Sequence, residues 1–158
     1  MMVHKSNVKY NLAICVVTVS TSRTVETDVS GLAMEQKLRI DGYEVNRTVC
    51  KDDEQMILDS LVDCKKYDVI IYVGGTGPSR RDVTYLTLSK VADKEIRGFG
   101  ELFRSRSGLP LSYLSNASLF IRGTQQIYCI PGSTDATDIA LEIMKGIMNH
   151  VYEELHKE

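Results

Sequence analysis

Residues suited to chemistry are concentrated in one run of this chain, Gly74-Gly75-Thr76-Gly77-Pro78-Ser79-Arg80-Arg81-Asp82-Val83-Thr84. Glycine permits backbone angles and a close ligand approach that a Cβ would block. The N–H groups of such a turn, the hydroxyls of Thr76 and Ser79, and the guanidinium groups of Arg80 and Arg81 can all serve phosphate oxygens. Asp82 beside them is a carboxylate suited to Mg²⁺. The spacing matches neither common phosphate motif: a Walker A loop needs Gly-Lys-Ser/Thr after four spacers, and a dinucleotide fingerprint needs glycine where Arg80 stands. A second reading of the same residues is an ordinary Gly-Pro turn, with Asp82 capping the next helix and both arginines solvated.

The run needs a rigid support, and Asp68-Val69-Ile70-Ile71-Tyr72-Val73 immediately before it supplies one. This β-branched stretch has no period-2 alternation, and neither has Leu12 to Val19, so both read as central parallel strands covered on both faces. Sites of open α/β sheets lie in the loops at such strand ends. Ser20 to Thr27 is a polar loop of this kind. Asp28 and Ser30 can then cap a helix with core positions Val29, Leu32, Ala33, Met34, Leu38 and Ile40, stopped by Gly42. Tyr43 to Cys50 reads as a second strand, and Asp52-Asp53-Glu54-Gln55 opens a helix carrying Met56, Ile57, Leu61, Val62 and Cys64 inward. Asp52 with Gln55 three residues on makes a capping-box-like start, and composition alone reads both aspartates as caps. Val83 to Val91 is a further helix, and Lys94-Glu95-Ile96 leads into a helix where Glu101 and Arg104 can pair at i, i+3. Leu119 to Ile121 and Gln126 to Ile130 read as short strands around a turn at Arg122-Gly123-Thr124. The second strand ends at Pro131-Gly132-Ser133, and Asp135 caps a closing helix whose Ile139, Ile143, Ile147 and Val151 recur every four residues.

A chain of 158 residues is the size of one domain, spanning 1–158, and buries roughly 70% of its unfolded surface. Residues 1–10 and 154–158 are expected to be peripheral. The formal net charge of −2 argues against a nucleic-acid or membrane-surface partner, which calls for a broad basic bias. Cys15, Cys50, Cys64 and Cys129 show no CxxC spacing and read as reduced core residues. His4, His150 and His156 are too scattered for a histidine-based metal site. Leu12 to Val19, preceded by Lys5 and Lys9, has a short apolar core and no small-residue cleavage site, so it reads as a strand rather than a signal peptide, and a cytoplasmic location is expected.

The eleven residues Gly74 to Thr84 closely resemble the signature of the molybdenum-cofactor biosynthesis family of the MoaB/MogA type. The family's Asp-x-Ser-Gly is matched by Asp28, Ser30 and Gly31, its aspartate before Glu-Gln by Asp53, its Gly-Phe-x-Glu-x-x-Arg helix by Gly98 to Arg104, and its second glycine motif by Pro131-Gly132-Ser133. The chain departs from the pattern at Ser115-Asn116-Ala117, where many members have Ser-Arg-Ala, and at Thr134-Asp135.

The resemblance implies a three-layer α/β/α sandwich with a mostly parallel sheet and a molybdopterin-binding-domain-like fold. It implies adenylylation of molybdopterin with Mg-ATP, giving adenylylated molybdopterin and pyrophosphate, with a non-catalytic pterin-binding or scaffold protein as the alternative. Asp53 and Asp82 would be catalytic and hold Mg²⁺. Gly74, Gly75, Thr76, Gly77, Ser20, Arg81, Gly132 and Ser133 would bind substrate. Family members form closed assemblies, so the resemblance implies a homotrimer or hexamer, with hand-over to a molybdate-insertion protein. Molybdenum and tungsten both stay open as the metal served downstream.

Overall fold

The computed structural model describes residues 8–158, so His4 and Lys5 lie outside the described residues. The chain runs β1 (Ala13–Val19), α1 (Val29–Ile40), β2 (Glu44–Cys50), α2 (Glu54–Asp63), β3 (Val69–Val73), α3 (Thr84–Val91), β4 (Lys94–Ile96), α4 (Arg97–Ser107), a 3-10 turn (Pro110–Leu114), β5 (Ser118–Arg122), β6 (Gln125–Ile130) and α5 (Thr134–Leu155). The strands form one sheet in the order β2-β1-β3-β6-β5-β4. The first four are parallel, and β5 runs antiparallel to both of its neighbours, β6 and β4.

The two apolar runs are central strands, and β3 is buried at every position. Their side chains alternate between two cores. Ile14, Val16, Val69, Ile71 and Val73 pack with Met34, Leu38, Phe103 and Met144 from α1, α4 and α5. Cys15, Val17, Ile70 and Tyr72 pack with Ile57, Leu61 and Leu88 from α2 and α3. Burial on both faces is what a continuous β-branched run permits. The phenol of Tyr72 shares a hydrogen bond of 2.7 Å with Ser60 Oγ, so this core keeps its buried hydroxyls satisfied there.

Some of the expected helix faces are narrower than periodicity implies. In α1 only Gly31, Met34 and Leu38 are buried, while Val29, Leu32 and Ile40 face solvent, because a helix over one sheet face buries a single stripe. Met56 and Val62 of α2 are likewise exposed. Lys94 to Ile96 is a strand in its own right, pairing with Ile121 to Leu119 of β5. Tyr10 packs on Tyr152 at 4.7 Å between ring centroids and donates its N–H to Asn149 Oδ1, which ties the segment before β1 to α5, and Leu155 at the end of α5 packs on the core.

Candidate functional site

The carboxyl ends of β1, β3 and β6 stand side by side, because β3 pairs with both neighbours. After β3 the chain turns through Gly74 and Gly75 at φ of +108° and +72°. Gly74 N donates to Ile130 O at 2.8 Å, so the two strand-end turns start from a common hydrogen bond. A Cβ on Gly74 would lie 2.6 Å from Val19 O, and one on Gly75 would run into the Thr84 side chain. The turn is then closed on itself: Thr84 N donates to Gly75 O at 3.1 Å, Asp82 N to Ser79 O at 3.0 Å, and Ser79 N to Asp82 Oδ2 at 2.9 Å.

Asp82 therefore does not cap α3, whose N-cap is Val83 with no side-chain bond. Its carboxylate folds back across the turn through Oδ2, and among the described residues no hydrogen bond reaches Oδ1. Gly75, Thr76, Gly77, Pro78 and Asp82 line one wall of an open cleft of about 290 Å³, and Pro131 and Gly132 stand opposite. The third wall comes from Leu111, Leu114 and Ser115, in and beyond the 3-10 turn. Sequence reasoning passed over the 3-10 turn because it carries no periodic signal; the anomaly at Ser115-Asn116 was the one local clue.

The segment after it is fastened to the glycine turn by two hydrogen bonds. Asn116 N donates to Thr76 O at 2.8 Å, and Ser115 Oγ donates to Thr76 Oγ1 at 3.1 Å. Arg104 holds the same segment from behind, giving Nη1 to Ser115 O at 3.1 Å, and among the described residues no ion pair joins it to Glu101. On the β6 side, Ser30 Oγ donates to Gly132 O at 2.7 Å, which links the Asp-x-Ser-Gly segment to the second glycine motif. Asp28 caps α1 through Gly31 N and is buried with Thr18 and Arg47 around it. Burial alone would lower the Arg47 pKa, and hydrogen bonds to Glu35 and Asp28 overcome this and raise it.

Other expected site residues fall outside the cleft. Ser20 begins the loop after β1, where its Oγ accepts Arg23 N at 3.2 Å, and Arg81 is exposed. Ser133, not Asp135, is the N-cap of α5, accepting Ala136 N. It lines an adjoining cavity of about 570 Å³ that shares Leu111, Ser115 and Pro131 with the cleft. Of the two adjacent aspartates it is Asp53, not Asp52, that caps α2. Asp53 is the N-cap of α2, its Oδ1 accepting Met56 N at 3.0 Å, whereas Asp52 Oδ2 accepts both Thr21 N and Thr21 Oγ1 at 3.0 Å. Gln55 does not close a capping box, since its amide turns forward to Asp59.

Asp82 is the one carboxylate in the cleft wall, and no group of three metal-ligating side chains stands together among the described residues. Such a donor set fits Mg²⁺, which is commonly held by one or two carboxylates together with waters and substrate phosphates.

The chain matches the family model described as a probable molybdopterin binding domain over residues 15–150. Molybdenum cofactor biosynthesis protein B of Staphylococcus aureus (strain MRSA252) is 39% identical over 171 residues, covering 96% of this chain and 97% of that protein. A crystal structure of a molybdenum cofactor biosynthesis protein B superimposes with a TM-score of 0.88 at 34% identity, covering 94% of this chain and 98% of the other. The tungsten cofactor synthesizing protein MoaB from Pyrococcus furiosus superimposes with a TM-score of 0.83 at 30% identity, over 95% of this chain and all of the other. With nearly the full length shared in sequence and in fold, the chain belongs to the molybdopterin-binding domain family that includes the molybdenum cofactor biosynthesis B proteins.

Proposed function

We propose that this protein adenylylates molybdopterin, joining AMP from Mg-ATP to the terminal phosphate and releasing pyrophosphate. The observation that carries the reading is the cleft in which Asp82 and the Gly75-Thr76-Gly77 main chain face Pro131-Gly132. Transfer of this kind depends on positioning and charge neutralisation more than on covalent chemistry. The cleft's main-chain donors would bind phosphate oxygens, and Oδ1 of Asp82 would orient toward a magnesium ion arriving with the nucleotide. Bound Mg²⁺ would supply neutralisation of phosphate charge. The larger cavity beside the cleft offers apolar walls from Phe103, Leu109 and Ile139 for a ring system. Asp53 is the second proposed carboxylate, with Oδ2 left over from its capping bond. In the same reading the protein assembles as a homotrimer or hexamer and passes its product to a molybdate-insertion protein.

One observation favours the non-catalytic alternative, a pterin-binding or scaffold protein: Asp53 does not line the cleft that holds Asp82. Incubating the protein with molybdopterin and Mg-ATP separates the two. Enzyme-dependent formation of adenylylated molybdopterin and pyrophosphate supports transfer, whereas saturable molybdopterin binding without either product supports the scaffold.

A further inference from the structure

Away from the cleft and the cavity beside it, a separate cavity of about 360 Å³ opens between β2 and α2, and three of the four cysteines line it. Cys15 lies on β1 and Cys64 is the C-cap residue of α2, 49 positions further along. Their Sγ atoms are 3.2 Å apart. A disulfide spans about 2.05 Å, so closure calls for an approach of about 1.2 Å. Both residues are almost fully shielded, at 3% and 4% exposure, yet both face a cavity that admits a molecule the size of water. The proposed transferase chemistry uses neither.

We propose that Cys15 and Cys64 are a redox-active dithiol, which a hydroperoxide converts to an intramolecular disulfide joining β1 to α2. The two thiols are not equivalent. The hydrogen bond the two sulfurs share draws the Cys64 pKa down and pushes that of Cys15 up. Cys64 is therefore the attacking sulfur. Its thiolate attacks one oxygen of hydrogen peroxide, the O–O bond breaks, and the departing hydroxide takes a proton to leave as water. Cys64 is then a sulfenic acid. Cys15 attacks that sulfur as it loses its proton, the S–S bond forms, and the sulfenic oxygen leaves as a second water. Two thiols are oxidised by two electrons and one peroxide is reduced to two waters.

The remaining cysteines are placed differently. Burial pushes the Cys50 thiol up to about 11, and Cys129 up to about 12, so neither competes as a thiolate at neutral pH. Cys129, on β6, also points its Sγ toward Asn116 O in the segment before β5.

The test uses the reduced full-length protein, freed of reductant and treated at neutral pH with a few equivalents of hydrogen peroxide. The expected result is loss of two of the four free thiols, and a non-reducing digest in which the Cys15 and Cys64 peptides are joined with the loss of two hydrogens. The melting temperature should rise by roughly 5 °C or more, because the crosslink closes a long loop in the unfolded chain. Dithiothreitol should reverse both changes, and Cys50→Ser should leave the crosslink unchanged. Four surviving thiols, linkage through Cys50 or Cys129, linkage between chains, or oxidation of Cys64 to sulfinic acid without linkage would each overturn the proposal. Because no substrate is involved, these outcomes are read separately from the transferase assay.

Discussion

After β3 the main chain turns through Gly74 and Gly75, both at positive φ, whereas after β6 it passes Gly132 without one. The first turn has no room for side chains even without a ligand, since Val19 O and the Thr84 side chain occupy the places where Cβ atoms would go. At Gly132 the nearest neighbour to an added Cβ is Gly74 Cα at 3.7 Å, an ordinary contact. Packing therefore accounts for glycine at 74 and 75 and leaves it unaccounted for at 132, where the missing side chain keeps the cleft floor open. A glycine that the fold does not need is the better pointer to a ligand.

The largest effect that tests this contrast belongs to Gly75→Val. A β-branched residue at φ +72° is strained, and its Cβ collides with buried Thr84. The expected loss is about 3 kcal/mol of unfolding free energy or more, read from urea denaturation. Stability within about 1 kcal/mol of the parent would mean that the turn relaxes easily and that the contrast with Gly132 has no basis.

Asp82→Asn comes next, and it separates charge from structure inside the first turn. The amide oxygen can still accept from Ser79 N, so the turn should survive, while the negative charge is lost. Adenylyl transfer should fall about a hundredfold, equivalent to about 2.7 kcal/mol of barrier, with molybdopterin binding largely kept. Turnover within threefold of the parent would remove Asp82 from the proposed chemistry.

The strands and the cleft's glycine walls were legible in the sequence because each rests on a strong local signal. Val69 to Val73 is apolar on both faces, and the glycines follow it directly. The aspartate pair was not legible in the same way. Asp52 and Asp53 both fit a capping pattern, and only the extended backbone at Asp53, φ −145° and ψ 130°, decides which one caps. The third cleft wall was hidden for another reason. Leu111 and Leu114 lie in a turn of five residues with no periodicity, and the hydrogen bonds that hold the following segment to Thr76 join positions about forty residues apart. Strand β4, three residues long, is likewise too short for alternation to register.

Gly132→Ala turns the comparison toward binding. An added methyl meets no close neighbour in the fold, and removing glycine lowers the entropy of the unfolded chain, so stability should change by less than about 0.5 kcal/mol. Molybdopterin affinity should weaken about tenfold, a change of about 1.4 kcal/mol. Titration and thermal melts of one preparation check both. Unchanged affinity would leave glycine at 132 explained neither by packing nor by a ligand, and the contrast would no longer point to a site.

The smallest effect expected concerns Asp53, where capping and catalysis make different demands on the same carboxylate. Its Oδ1 accepts Met56 N, which is all that the helix start requires. Asparagine is an equally good N-cap and alanine is not, so Asp53→Asn should leave stability unchanged while Asp53→Ala costs about 1 kcal/mol. The activity of the two variants then reports on the other oxygen. If Asp53 acts in transfer, both variants lose turnover to a similar degree, because both lose the charge. If it serves only α2, the asparagine variant turns over normally and the alanine variant differs only in its denaturation midpoint. Since Asp53 lies outside the cleft wall that holds Asp82, the loss of turnover in Asp53→Asn should be smaller than in Asp82→Asn. A loss as large as that of Asp82→Asn would require the loop after β2 to reach the cleft when substrate is bound.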